Sequence, residues 1–238
     1  MAVQTGTLAL RRDPDAANAW FVDLDDRRQS HVDLDQPTRL VLAYIRRMGH
    51  VIDLLPPVGA PLDVVHLGGG GLTLARYIAV TRPRSRQRVF EIDAHLTDRV
   101  RAALPLDTSW RIRVRAIDAL EGLRALRPGS TDLLVNDVYR DGYTPGHLTT
   151  TEFAEHLHRV LRPNGTYLAN LLEPVLARRA IADLRGHGMK TVAAVLDKGR
   201  RSSGGNVVVI GTNAAVPIDD LRTRLAADAR PGRLVTGT

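Results

Sequence analysis

The sequence predicts an α/β protein: a doubly wound, mostly parallel sheet of seven strands with a short N-terminal β-hairpin attached. Three observations carry that prediction. From residue 63 to residue 187, short apolar runs alternate with amphipathic stretches of helical period, the pattern of a parallel sheet covered by helices on both faces. The first run, Val64-Val65-His66-Leu67, passes directly into Gly68-Gly69-Gly70-Gly71 and then into Leu72-Thr73-Leu74-Ala75-Arg76-Tyr77, which reads as buried strand, tight turn and helix. Acids then stand at successive strand ends, at Glu91, Asp118 and Asp137.

The elements follow in order. Gly6–Arg12 and Ala19–Leu24 are candidate strands, and the turn formers Asp13-Pro14-Asp15-Ala16-Ala17-Asn18 between them make a hairpin. The alternating stretch 26–37 reads as a third short strand that breaks at Pro37. Leu40, Val41, Tyr44, Ile45, Met48, Val51 and Ile52 have helical spacing, which predicts a helix from Thr38 to Leu55, stopped by Pro56-Pro57. Strands at 63–67, 87–92, 111–116, 132–137 and 166–171 then alternate with helices at 72–82, 94–104, 119–126, 150–161 and 174–187. Arg162-Pro163-Asn164-Gly165 reads as a helix stop and turn. Strands 190–196 and 205–211 have no helical pattern between them and are expected to pair antiparallel. A short helix, Asp219 to Asp228, precedes an end expected to be disordered. The organisation is therefore a hairpin region at 1–37, a Rossmann-like ligand-binding domain at 38–216, and a C-terminal helix and tail at 217–238.

Composition excludes several classes. With no cysteine there is no disulfide framework, thiolate metal site or cysteine nucleophile, and no metal site is expected. No apolar run approaches the roughly 20 residues of a membrane helix, and the N-terminus lacks a secretory layout, so a cytoplasmic protein without membrane contact is expected. The net charge of +7 comes almost wholly from arginines spread along the chain, Lys190 and Lys198 being the only lysines. That dispersion, with few aromatic residues, argues against nucleic acid as a partner.

The glycine turn and the strand-end acids are the candidate site. Glycines permit positive φ and let a ligand approach the backbone, and the following helix offers free N–H groups and a positive dipole end. Gly68, Gly69, Gly70 and Gly71 are contiguous, and the third glycine of a G-x-G-x-x-G fingerprint would fall on Thr73, which argues against a nicotinamide dinucleotide. An acid about 20 residues past such a turn holds ribose hydroxyls in nucleotide-binding folds; Glu91, followed by Ile92, is so placed. Asp118 with Ala119 is placed to meet a base, and Asp137 to meet the reacting group. Each acid has a second reading: Glu91 as an arginine partner, Asp118 as a helix cap, Asp137 as a solvated loop acid.

The order of these features resembles spermidine synthase and its relatives. Tyr44-Ile45-Arg46-Arg47-Met48-Gly49-His50, Leu148-Thr149-Thr150-Thr151-Glu152-Phe153 and Gly204-Gly205-Asn206-Val207-Val208-Val209 are similar to further segments of that family, over about residues 25 to 211. The resemblance implies a class I adenosylmethionine-type fold binding S-adenosylmethionine or its decarboxylated form, and a homodimer. It places the cofactor's sulfonium end at Gly68–Gly71, its ribose at Glu91 and its adenine at Asp118. Asp137 becomes the base for an amine acceptor, a polyamine in the family, and the reaction aminopropyl transfer. Gln29, Tyr44, His50, Tyr139 and Asp141 are the candidate acceptor-side residues. Departures from the pattern are Gly71, where aminopropyl-transferring members carry Asp, and Val138-Tyr139-Arg140 after Asp137, where they place a second acid three residues on. The alternatives are a methyltransferase acting on a small molecule and a non-catalytic binder of the same cofactor.

Overall fold

The structure, a computed structural model, describes residues 2–3, 6–140, 143–197 and 206–236. Asp141, Gly142, Gly204 and Gly205 lie outside the described residues. Two sheets make up the architecture. The smaller is antiparallel, with strand order β1 (Ala2–Val3), β2 (Gly6–Arg12), β3 (Ala19–Leu24) and β4 (Arg27–Asp33). The expected third strand is β4, which pairs with β3 through a bulge at Val22/Asp23, and β1 adds a fourth by pairing with β2 over Ala2↔Thr7 and Val3↔Gly6.

The larger sheet contains β5 (Asp63–Leu67), β6 (Arg86–Glu91), β7 (Ile112–Ala116), β8 (Thr131–Asn136), β9 (Leu161–Leu171), β10 (Thr191–Asp197), β11 (Val207–Thr212) and β12 (Gly232–Thr236). Their order is β12-β10-β11-β9-β8-β5-β6-β7. Strands β9, β8, β5, β6 and β7 run parallel, whereas β11 is antiparallel to β9 and β10 as expected. The sheet has eight strands, not seven. The segment expected to be a disordered end forms β12, which pairs with β10 over Ala193↔Thr236 to Asp197↔Gly232. Five residues carrying one apolar pair, Leu234-Val235, give too weak a periodic signal to be recognised without the strand they join.

Helices α1 (Ala43–Leu54), α2 (Thr73–Thr81), α3 (Ala94–Ala103), α4 (Ala119–Arg124), α5 (Thr151–Val160), α6 (Pro174–Gly186) and α7 (Ile218–Ala227) complete the fold. Alternation along the strands separates two cores. Val64, Leu133, Val135, Leu168, Val208 and Ile210 face Met48, Val51, Ile52, Ile78, Leu221 and Leu225 of α1, α2 and α7. Val65, Leu134, Ala169 and Val209 face the other way, onto Leu123, Phe153, Leu157 and Leu184 of α4, α5 and α6. Helix α1 begins at Ala43 rather than Thr38, after an extended Leu42. The Arg162–Gly165 stretch lies within the span of β9 but turns out of the pairing as expected: the partners step from Thr131↔Leu161 to Leu133↔Thr166, and a Cβ at Gly165 would stand 2.9 Å from the Arg162 carbonyl oxygen.

The small sheet sits on α2 and α3. Leu8, Val22 and Val32 pack with Leu96, Val100 and Leu104, and the Thr73 hydroxyl donates to the His31 carbonyl at 2.8 Å. This explains why α2 is buried from Thr73 to Ala79: one side meets α1 and the other the small sheet. No helix among the described residues is long and apolar enough to cross a membrane.

Candidate active site

Parallel strands β8, β5, β6 and β7 are neighbours, so the residues at their carboxyl ends form one line, where ligands of open α/β sheets sit. At one strand spacing per step, Asp137 after β8 and Asp118 after β7 are about 14 Å apart, with the glycine turn and Glu91 between them. One pocket joins them: Gly68, Gly69, Gly70, Glu91, Ile92, Asp118, Ala119, Asp137, Tyr139 and, from the small sheet and α1, Gln29 and Tyr44 line it.

The turn is built by three left-handed residues, Gly68 at φ +86°, Gly70 at φ +46° and Leu72 at φ +59°. A Cβ at Gly68 would stand 2.5 Å from the Asp137 carbonyl oxygen, so only glycine lets β5 and the end of β8 close together. Gly71 does not line the pocket. Its N–H donates to Ser30 Oγ at 3.1 Å, and a Cβ there would meet Ser30 Cβ at 2.8 Å. Strand β4 thus occupies the space a side chain at position 71 would need. From below, the buried Arg76 guanidinium donates to the Gly71 carbonyl at 3.3 Å and to the carbonyls of Leu104 and Pro105. It pins the turn to the end of α3.

Among the described residues Glu91 has no arginine partner. Its Oε2 accepts from Gly69 N–H at 2.7 Å and Gly70 N–H at 3.4 Å, and its Oε1 accepts from Asp93 N–H at 3.0 Å. Asp93 caps α3 through Leu96 N–H. Asp118 divides its oxygens: Oδ1 caps α4, accepting from Leu120 and Glu121 N–H at 2.8 and 3.3 Å, while Oδ2 is 2.8 Å from His147 Nε2. Burial raises its pKa, but those N–H groups and the histidine outweigh it and hold the carboxyl below its ordinary value.

Asp137 is not a solvated loop acid. Its Oδ1 accepts from Asn170 Nδ2 at 2.9 Å, and its Oδ2 faces the Tyr44 hydroxyl at 3.3 Å. Asn170 is itself fixed by Asn206 Nδ2 at 2.8 Å, and Tyr139 donates its hydroxyl to the Asn170 backbone carbonyl. Desolvation pushes the Asp137 pKa up to about 6, against the hydrogen bonds from Asn170 and Tyr44. Burial and the nearby Asp137 charge keep Tyr44 protonated far above its ordinary range. The arrangement is a carboxylate that titrates near neutrality at the end of a nucleoside-length cleft.

Of the acceptor-side candidates, Gln29, Tyr44 and Tyr139 line this pocket, the Gln29 backbone carbonyl lying 3.2 Å from the Tyr44 hydroxyl. His50 does not line it. It lies nearly two turns of α1 beyond Tyr44, with Nε2 3.0 Å from Asp228 Oδ1 beside Arg46, in the packing of α1 against the segment after α7. Asn170, Asn206, Ser30, Arg76 and His147 were not singled out for these contacts. A polar Asn170 inside the apolar run of β9 was the one readable signal, since a buried amide demands a partner.

The alternating helices, the reversed strand near the end of the chain and the glycine turn define the Rossmann-like architecture of methyltransferases. Human methyltransferase-like protein 13, solved in complex with SAH, shares it at TM-score 0.58, with 21% identity over 77% of this chain and 88% of that one. A probable spermidine synthase from Corynebacterium glutamicum superposes at TM-score 0.86, with 30% identity, covering 99% of this chain and 89% of that chain. The polyamine aminopropyltransferase of Chromobacterium violaceum is 31% identical over 144 residues, 60% of this chain, and the match spans about half of that relative, 53%. No family model matches. The chain belongs to the spermidine synthase-like family of transferases.

Proposed function

We propose that this protein transfers an alkyl group from an S-adenosylmethionine-type sulfonium donor to the nitrogen of an amine acceptor, with Asp137 as the base. Aminopropyl transfer from decarboxylated S-adenosylmethionine is the family reaction. The observation that carries the proposal is Asp137: a carboxylate raised to about 6, beside a glycine turn that leaves no room for a side chain at Gly68. The residues present fit the nucleoside. Glu91 offers a carboxylate already oriented by three N–H groups, and Asp118 and Ala119 sit where a base would lie.

When bound, the sulfonium supplies an activated carbon and a neutral thioether leaving group. The protein's task is then to position and to take a proton. Tyr44 and Tyr139 wall the acceptor side, and Asn170 fixes the Asp137 carboxylate so that one oxygen faces the incoming nitrogen. The nitrogen lone pair forms the new C–N bond as the C–S bond breaks and its electron pair stays on sulfur. The proton released from nitrogen passes to Asp137. Alignment of this type supplies up to about 7–11 kcal/mol of the barrier in favourable cases, and a positioned base about a hundredfold or more.

Calorimetric titration with methylthioadenosine, S-adenosylmethionine and decarboxylated S-adenosylmethionine tests the reading. Binding of any of the three supports the adenosyl site, and binding of none overturns it. Asp137→Asn is expected to bind the nucleoside as wild type does and to lose turnover by about a hundredfold or more. Full turnover in that variant would place the base elsewhere.

A further inference from the structure

Among the described residues, each acid lining the pocket already has partners in the protein, and one cation has no ion pair. Glu91 accepts three backbone N–H groups. Asp118 caps α4 and pairs with His147. Asp137 is held by Asn170 and Tyr44. Among the basic groups on the walls, His147 is taken by Asp118, and His66 is buried against Gln87 at 2.9 Å. That leaves Arg140, which lines the same pocket, is exposed and forms no ion pair among the described residues. Its backbone is fixed: Arg140 N–H donates to the Tyr143 carbonyl and Tyr143 N–H to the Arg140 carbonyl, both at 2.9 Å. A guanidinium on a pinned backbone at the pocket wall, with no carboxylate paired to it among the described residues, is a fork for an oxyanion. It also repels a ligand whose only charges are positive.

We propose that Arg140 binds an anionic group, a carboxylate or a phosphate, of the ligand that fills this pocket, so that the site does not select a simple polycation. The proposal rests on the reading of the pocket as the transfer site. The anion has two sources: the carboxylate of an undecarboxylated donor, or an acidic group on the amine acceptor.

Two pairs of probes separate these sources, titrated by calorimetry into the full chain. S-adenosylmethionine and its decarboxylated form differ by the donor carboxylate. 4-Aminobutanoate and 1,4-diaminobutane differ by carboxylate against ammonium at one end. In at least one pair the carboxylate member should bind about tenfold tighter or more, the range of one charge-assisted hydrogen-bonded pair. Arg140→Gln should abolish that preference and Arg140→Asp should reverse it. The pair that responds names the source. The proposal is overturned if neither pair is discriminated by the wild-type protein, absence of binding by all four included, or if the preference survives in Arg140→Gln. Methylthioadenosine carries no anion, so it should bind wild type and both variants alike. Its failure to bind wild type counts against the adenosyl site and leaves the aminobutanoate comparison readable on its own.

Discussion

Gly68 and Asp137 constrain each other. The Asp137 N–H donates to the Leu67 carbonyl at 3.0 Å, while Gly68 turns away at φ +86° with the Asp137 carbonyl 2.5 Å from where its Cβ would be. Gly68→Ala therefore meets both a strained φ and a backbone clash. It is expected to cost about 1–3 kcal/mol of stability in urea unfolding, and to move Asp137 enough to weaken nucleoside binding. An alanine variant of wild-type stability would mean that the β5 and β8 ends are looser than this packing implies. Glu91→Ala is the complementary test: it leaves three N–H groups without their acceptor and should weaken methylthioadenosine binding by about 1–3 kcal/mol. Unchanged affinity would remove Glu91 from the ribose role. The acids at these strand ends could be read from the chain because each follows a stretch with strand patterning, apolar before Asp137 and alternating before Asp118. Their partners could not: Ser30 is 41 residues from Gly71 and Asn170 is 33 from Asp137, separations that only the folded topology closes.

Among the elements, β12 decides how the large sheet ends. Strand β10 is buried over Val192, Ala193, Ala194 and Val195, and β12 covers the backbone donors and acceptors on its outer side. The chain before β12 is anchored at Asp228, which takes Arg46 Nε at 2.9 Å and His50 Nε2 at 3.0 Å. A chain ending at Arg230 keeps that anchor and bares the β10 edge. Exposed apolar edges pair with one another, so the truncated protein should melt lower and show concentration-dependent association by light scattering. A monodisperse protein of unchanged Tm would show that β12 is dispensable. Strands β5 and β8 and the second half of β9 were legible because burial on both faces makes them near-continuous apolar runs. Strand β12 was not, since its identity comes from the partner it covers. The turn that interrupts β9 was legible because Pro163-Asn164-Gly165 has turn chemistry; what the chain did not show is that Leu161, before it, pairs with Thr131.

For the whole molecule, acid acts on stability and on the proposed chemistry through different groups. His66 is buried, and desolvation, opposed by the Gln87 hydrogen bond, lowers its pKa from 6.5 to about 4. Above pH 6.5 neither folded nor unfolded His66 is protonated, so its contribution is complete. As pH falls from 6.5 towards 4 the unfolded chain takes up a proton that the folded chain refuses, and stability is lost, by about 2 kcal/mol at pH 5 from this group alone. His158, lowered to about 4 by burial and by the His187 charge, acts in the same direction. Asp137 works the other way. Its folded pKa of about 6 lies above the ordinary 3.8, so the folded chain gains a proton first and acidification through that window returns part of the loss. Asp13 enters only below both, since the Asp15 N–H, with Arg39 and His31, lowers it to about 2 against its burial. Urea unfolding at pH 7.5 and pH 5 should therefore show a net loss in the wild type and a smaller one in His66→Gln. Equal losses in the two would assign the dependence to other groups. Turnover should fall below about pH 6 because Asp137 must be ionised to accept a proton, and that fall should precede unfolding. Asp137→Asn separates the two effects, because it removes the compensating carboxylate: its stability should drop more steeply between pH 7.5 and pH 5 than that of the wild type.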